Sequence, residues 1–165
     1  MSDIFIEHLV TQKTTTRSIL LRMLYAMAYA TLCLAVLIIY VPMLIFAFAG
    51  GLYLLFLLYR HLNVEFEYIL TNGEMDIDRI TGKSRRKRLL TVDCRALEVC
   101  APIESIAQYE NAQYTKRLDV SSGQNDAPRH FMVAPAKGGG RMLVIFEPDD
   151  RILSAMRTYN RRVQS

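Results

Sequence analysis

From Met23 to Tyr59 the chain contains no Asp, Glu, Lys, Arg or His. Wound as one helix this stretch would reach roughly 55 Å, nearly twice the ~30 Å hydrocarbon core of a bilayer. A soluble domain has nowhere to bury such a segment, so the chain belongs in a membrane. One helix of that length would need extreme tilt, and two spans joined by a tight turn fit the bilayer better. Pro42 is the natural break: it lacks an N–H, biases Val41 away from helical geometry, and suits the first turn of a following helix. The expected helices run from about Ser18 to Ile39 and from about Pro42 to Arg60, within a hairpin segment 18–62 turning near 40–42. A break at Gly50-Gly51 would leave a second apolar run too short to cross.

Charge sets the expected orientation. Lys13, Arg17 and Arg22 precede the apolar stretch, Arg60 closes it, and the turn at Tyr40–Pro42 carries no charge. Basic flanks mark the cytoplasmic side, so both termini are expected there. A signal peptide is the rival reading of the first run. That run lies deep in the chain, however, and lacks a small-residue cleavage site before the next span. Ala26 and Ala30, then Ala47 and Gly51, recur at four-residue spacing, which lets helix backbones approach closely in lipid. Packing within the hairpin and homo-oligomer formation both use such faces.

Of the 165 residues, those outside the hairpin suffice for one modest domain. The net charge of +4 is spread evenly: residues 1–63 hold four basic and two acidic side chains, and residues 64–165 hold 16 and 14. A dedicated nucleic-acid binder concentrates its basic charge on one domain, so nucleic acid is not an expected partner. Cys33, Cys94 and Cys100 form no disulfide framework, and a reducing cytoplasm suits the last two.

Along the chain, Ser2-Asp3 can cap a short helix reaching about Gln12. Ile4, Phe5, His8 and Leu9 then fall at helical spacing, so residues 1–17 are expected to form an interfacial amphipathic helix and linker. His8 is read as a solvated or interfacial side chain. After Arg60-His61 the periodicity becomes that of strands. Asn63–Thr71 alternates apolar Val64, Phe66, Tyr68 and Leu70 with Glu65 and Glu67. Asn72-Gly73 is a strong hairpin signal, because a type I′ turn needs two residues that tolerate positive φ. Glu74–Ile80 answers with Met75 and Ile77 on the buried side. Thr81-Gly82-Lys83 turns again, Ser84–Val92 makes a third strand, and Asp93–Ala101 leads into a fourth. Between Pro102 and Ala127 the pattern weakens to a short helix or surface excursion at Ile103–Tyr109 and a brief strand at Arg117–Val120. Ser121–Pro128 is a loop. Arg129–Ala136 and Arg141–Glu147 pair around Gly138-Gly139-Gly140, and the second of these is apolar on both faces, hence buried on both. Pro148-Asp149-Asp150 opens a helix expected over 149–163, with Ile152, Leu153, Met156, Tyr159 and Val163 on one face.

About seven strands followed by one amphipathic helix is the layout of a pleckstrin-homology-like half-open barrel. The run YILTNGEMDIDRITGKSRRKR, the later hairpin and FEPDDRILSAM resemble bacterial PH-like domains attached to membrane hairpins. With the FIEHLV start, the arrangement is similar to a family of short bacterial membrane proteins of this build. The resemblance implies an α+β membrane protein: a transmembrane helical hairpin, then a cytoplasmic antiparallel PH-like β-barrel or sandwich over 63–165 capped by a helix. It implies a bacterial inner (cytoplasmic) membrane location and brings no catalytic motif, cofactor or metal site.

The remaining chemistry is sparse. Arg85, Arg86, Lys87 and Arg88 are the conspicuous basic run, but side chains alternate on a strand and cannot form one continuous face. Two readings compete: contact with an anionic leaflet or a partner, and a charged edge strand that guards against aggregation. Glu74, Asp76 and Asp78 lie at i, i+2, i+4. They can hold a hard cation, act as an acid/base pair, or form cross-strand pairs with the basic run, and the pairing reading is favoured. Cys94 and Cys100 are six apart, which is not metal-ligand spacing, and are read as buried small hydrophobes. His130 is near neither in sequence. Gly138–Gly140 precedes a strand and lacks the Lys-Ser/Thr of a phosphate cradle. The expected function is a non-enzymatic membrane-anchored module engaging a protein partner or the inner leaflet. The alternatives are an accessory subunit of a larger transport or envelope complex, and a membrane-bound enzyme using Cys94 or Cys100.

Overall fold

The computed structural model describes residues 4–110, 112–124, 126–136 and 138–164. They fall into two compact units. One comprises Thr14–Val64 with the short turn Thr81–Arg85; the other comprises the residues up to Lys13 with Glu65–Ile80 and the chain from Arg86 onward.

In the first unit, helix α1 (Thr16–Ile39) and helix α2 (Leu44–His61) form an antiparallel hairpin. Tyr40 is extended (φ −157°, ψ 92°), and a 3₁₀ turn at Val41–Met43 carries Pro42 at its start, where the missing N–H costs nothing. The helical runs Thr16–Ile39 and Val41–His61 contain 24 and 21 residues, about 36 and 31 Å long. Both therefore match a bilayer core. Tyr25, Ala26, Tyr29, Cys33 and Val36 of α1 and Leu44, Ala47, Gly51, Leu55 and Leu58 of α2 are half-buried, at the three- and four-residue spacing of a helix seam. Large apolar side chains such as Leu24, Ile38, Phe46 and Phe56 are exposed on the remaining faces, as lipid requires. The Tyr29 hydroxyl donates to the Phe48 carbonyl at 2.9 Å, and the Tyr59 hydroxyl to the Arg22 carbonyl at 2.8 Å.

The second unit holds two four-stranded sheets. The first runs β1-β2-β3-β4, from Phe5–Thr11, Val64–Thr71, Glu74–Thr81 and Arg85–Asp93. The second has the order β5-β7-β8-β6, where β5 is Val99–Pro102, β6 Lys116–Asp119, β7 His130–Pro135 and β8 Arg141–Phe146. Neither sheet closes on itself. Inward side chains of β2 and β3 (Phe66, Tyr68, Leu70, Met75, Ile77) are buried, as are Met132, Val144 and Phe146 of the second sheet. Helix α3 (Asp150–Tyr159) buries Ile152, Leu153 and Met156. Its first turn is capped by the Asp149 carboxylate, which accepts from Ile152 N at 2.8 Å.

The β2–β3 turn has Asn72 at φ 49° and Gly73 at φ 92°, the positive pair that a type I′ hairpin demands. Of the two readings of Ile103–Tyr109, the structure has the short helix, a 3₁₀ segment at Ile103–Gln108. Its Ile103 and Ile106, with Tyr109, cover the outer face of the second sheet at Val99, Ala101, Phe131, Val133 and Leu143.

Three expectations are corrected. The N-terminal amphipathic helix is a strand: β1 pairs with β2 along its whole length, placing Ile6 opposite Leu70, His8 opposite Tyr68 and Val10 opposite Phe66. The residues before Lys13 thus belong to the sheet unit and not to a membrane-surface linker; the proposed Ser2-Asp3 cap lies outside the described residues. Helix α3 stops at Tyr159. Asn160 turns extended, its amide donates to the Cys94 and Leu97 carbonyls, and Val163 bridges to Cys100. Finally, β6 runs parallel to β8, so the second sheet is mixed.

Candidate functional site

On strands β2–β4, Glu67, Asp76 and Asp78 are neutralised by Arg86 and Arg88. Arg86 meets Glu67 at 2.5 Å, and Arg88 meets Asp76 at 2.6 Å and Asp78 at 2.8 Å. Thr91 adds a 2.6 Å hydrogen bond to Asp76. The carboxylate of Asp78 raises the guanidinium pKa of Arg88 above its ordinary value by accepting its hydrogen bond. Asp76 and Asp78 therefore have arginines and a threonine where a cation would sit, and no cluster suited to a metal occurs among the described residues. Glu74 is exposed. Arg85 and Lys87 are exposed, and among the described residues neither enters an ion pair.

The thiols are poor nucleophile candidates. Cys94 and Cys100 are buried, and that burial pushes each thiol pKa up to about 12, so the reactive thiolate is scarce near neutrality. His130 is buried on β7, opposite Pro102 of β5 and Phe146 of β8. Burial holds its imidazole below its ordinary pKa; the Pro128 backbone and Glu104 oppose that shift and Arg157 adds to it. Cys100 pairs with Met132, two residues along β7 from His130. No base–nucleophile hydrogen bond joins His130 to either cysteine among the described residues.

Of the small residues read as helix-packing positions, Ala26, Ala47 and Gly51 lie on the hairpin seam and Ala30 is exposed outside it. Gly51 has a specific reason to lack a side chain. A Cβ there would stand 2.4 Å from Cε2 of Tyr29.

One feature of the sheet unit does suit recognition. Strand β4 is one edge of the first sheet, opposite β1, and β6 is one edge of the second, opposite β5. A groove of about 430 Å³ opens between Arg88–Thr91 of β4, Thr115 and Lys116 before and at the start of β6, and Pro135, Ala136 and Met142 of the β7–β8 hairpin. Leu90 and Met142 give it an apolar floor, Lys116 stands exposed at its side, and among the described residues no strand pairs with the outer edge of β4. Sequence reading singled out the charges of β4 and missed Leu89 and Leu90. The only local signal was the change from RRKR to LLTV within one strand, and the groove itself depends on Thr115, Lys116, Pro135, Ala136 and Met142, far along the chain.

No curated protein and no solved structure matches the chain. A family model does, over residues 2–164. With its two apolar helices, paired sheets and terminal helix, the chain belongs to the family described as bacterial PH-like domain (DUF6106).

Proposed function

We propose that the chain is a non-enzymatic binding module of the bacterial inner membrane, whose PH-like unit takes up an extended segment of a protein partner along β4. The groove between β4 and the β6–β8 side carries this reading. A strand edge supplies unpaired N–H and C=O groups for main-chain hydrogen bonds, and alternate side chains of the guest can enter the apolar floor. The exposed Lys116 favours an acidic side chain in that segment. The raised pKa of the two buried thiols and the lack of charge from Met23 to Tyr59 support a role without catalysis or ion transport. The basic flanks of the hairpin support cytoplasmic termini.

A photoreactive residue at Leu89 or Thr91, introduced into the full chain in intact membranes, should yield a discrete protein adduct. The same probe at Thr158, on the exposed side of α3, should not. Equal labelling at both places, or at neither, overturns the reading. A tag on either terminus that becomes accessible to protease from outside intact cells overturns the orientation.

A further inference from the structure

The hairpin unit contains Arg17, Arg22, Arg60, Lys83 and Arg85 but no Asp or Glu. Three of these cations line one cavity of about 480 Å³ at the basic end of the hairpin, together with Phe56, Tyr59, Asn63 and Gly82. The site is assembled by specific bonds. Arg22 donates through Nη2 to Asn63 Oδ1 at 2.8 Å, and its guanidinium lies 6.0 Å from the Tyr59 ring centre. Arg60 Nε donates to the Gly82 carbonyl at 2.6 Å, and Gly82 N to the Asn63 carbonyl at 2.9 Å. Gly82 is buried at φ 61°, where a side chain would be both strained and pressed against the Arg60 carbonyl at 3.2 Å. These contacts turn the arginines towards a shared space without neutralising them. Among the described residues, none of the three cations has a carboxylate in ion-pair range, and Arg22 Nε is buried with no hydrogen-bond partner.

Three unneutralised cations and an orphaned buried N–H around one cavity form a receptor for an anion with several acceptor oxygens. The aromatic faces of Phe56 and Tyr59 on the same wall suit an apolar tail attached to it. Resting on the membrane reading of residues 16–61, we infer that Arg22, Arg60, Lys83 and Asn63 bind the phosphate of an anionic phospholipid headgroup at the end of the hairpin. Burying Arg22 Nε without a partner costs free energy, and a bound phosphate oxygen removes that cost.

The test is lipid retention by the full chain in detergent, read by native mass spectrometry with phosphatidylglycerol or phosphatidylcholine added. The wild type should retain phosphatidylglycerol in preference, and the Arg22→Gln/Arg60→Gln/Lys83→Asn variant should bind it about tenfold more weakly. Lys87→Gln, which alters an exposed cation outside the cavity, should leave retention unchanged. If the triple variant fails to form its helices, Lys83→Asn alone decides. Lys83 sits at φ 56° on an exposed turn, a backbone that asparagine tolerates, and the single change should still weaken retention several-fold. Unchanged preference in Lys83→Asn, or no preference in a wild type that stays membrane-embedded, overturns the lipid site alone. Inorganic phosphate that displaces the lipid at equal concentration assigns the cavity to free phosphate and overturns the lipid assignment. Extraction of the wild type from membranes by alkaline carbonate removes the membrane reading and this site together.

Discussion

The hydroxyl of Tyr68, on β2 of the first sheet, donates to the Val120 carbonyl beyond β6 of the second at 2.6 Å. The same oxygen accepts from Glu147 N at 3.2 Å, and the ring meets Phe146 edge-on at 5.9 Å between centres. One fully buried side chain thus joins both sheets, and burial raises its phenol pKa far above the ordinary value.

Tyr68→Phe keeps the ring and leaves the Val120 carbonyl and the Glu147 N–H without that partner. Loss of about 1–3 kcal/mol is expected. Chemical denaturation of the full chain, followed by a probe confined to the sheet unit, measures it. A change within a few tenths of a kcal/mol would show that water replaces the hydroxyl without penalty.

In the hairpin, Gly51→Ala forces a methyl group against Tyr29, whose ring is held by its own bond to Phe48. A cost of about 1–3 kcal/mol in a detergent unfolding titration is expected from overpacking. Gly50→Ala is the control, because nothing lies within 4 Å of its added Cβ. Gly51→Leu, with a larger group at the same place, should disrupt the hairpin itself.

Asp78 is the most deeply buried carboxylate of the charge network, its side chain only 3% exposed, while Arg88 stays half in solvent. Arg88→Met leaves Arg86 at 3.9 Å as the nearest remaining cation. It should destabilise the unit, the outer exposure of Arg88 tempering the loss. Adding Asp78→Asn should recover part of that cost. Strict additivity of the two changes in a double-mutant cycle would mean that the pair is not coupled.

His130 gives the sheet unit a pH dependence. Its folded pKa lies below the ordinary 6.5, so the unfolded chain binds the proton more readily. Stability should be full above pH 6.5, fall as pH drops through the interval between the two pKa values, and then level off. Melting temperature against pH for the wild type and for His130→Gln should diverge in that window. Parallel curves would assign the dependence to other groups.

Cys94 and Cys100, with thiols pushed up to about 12 by burial, should resist maleimide near neutral pH in the folded protein and react on unfolding. Rapid modification of either thiol in the native state would reopen the enzyme reading.

The hairpin was legible in the sequence because lipid imposes local demands: enough uninterrupted apolar length, a proline where the chain turns, and cations at one end. Asn72-Gly73 was equally legible, since positive φ at both positions is a property of those two residues. IFIEHLV, in contrast, carries a helical spacing at Ile4, Phe5, His8 and Leu9 and a strand alternation at Ile6, His8 and Val10. The open edge of β2, nearly sixty residues later, decides between them. The parallel pairing of β6 with β8, the groove beside β4 and the meeting of Arg22, Arg60 and Lys83 share this dependence. Sequence by itself determined the two apolar helices of bilayer-crossing length, the strand-rich unit and its type I′ turn, because each follows from neighbouring residues. Only the tertiary structure decided which distant cations and strand edges share a surface, because register and packing are set between segments that the chain keeps far apart.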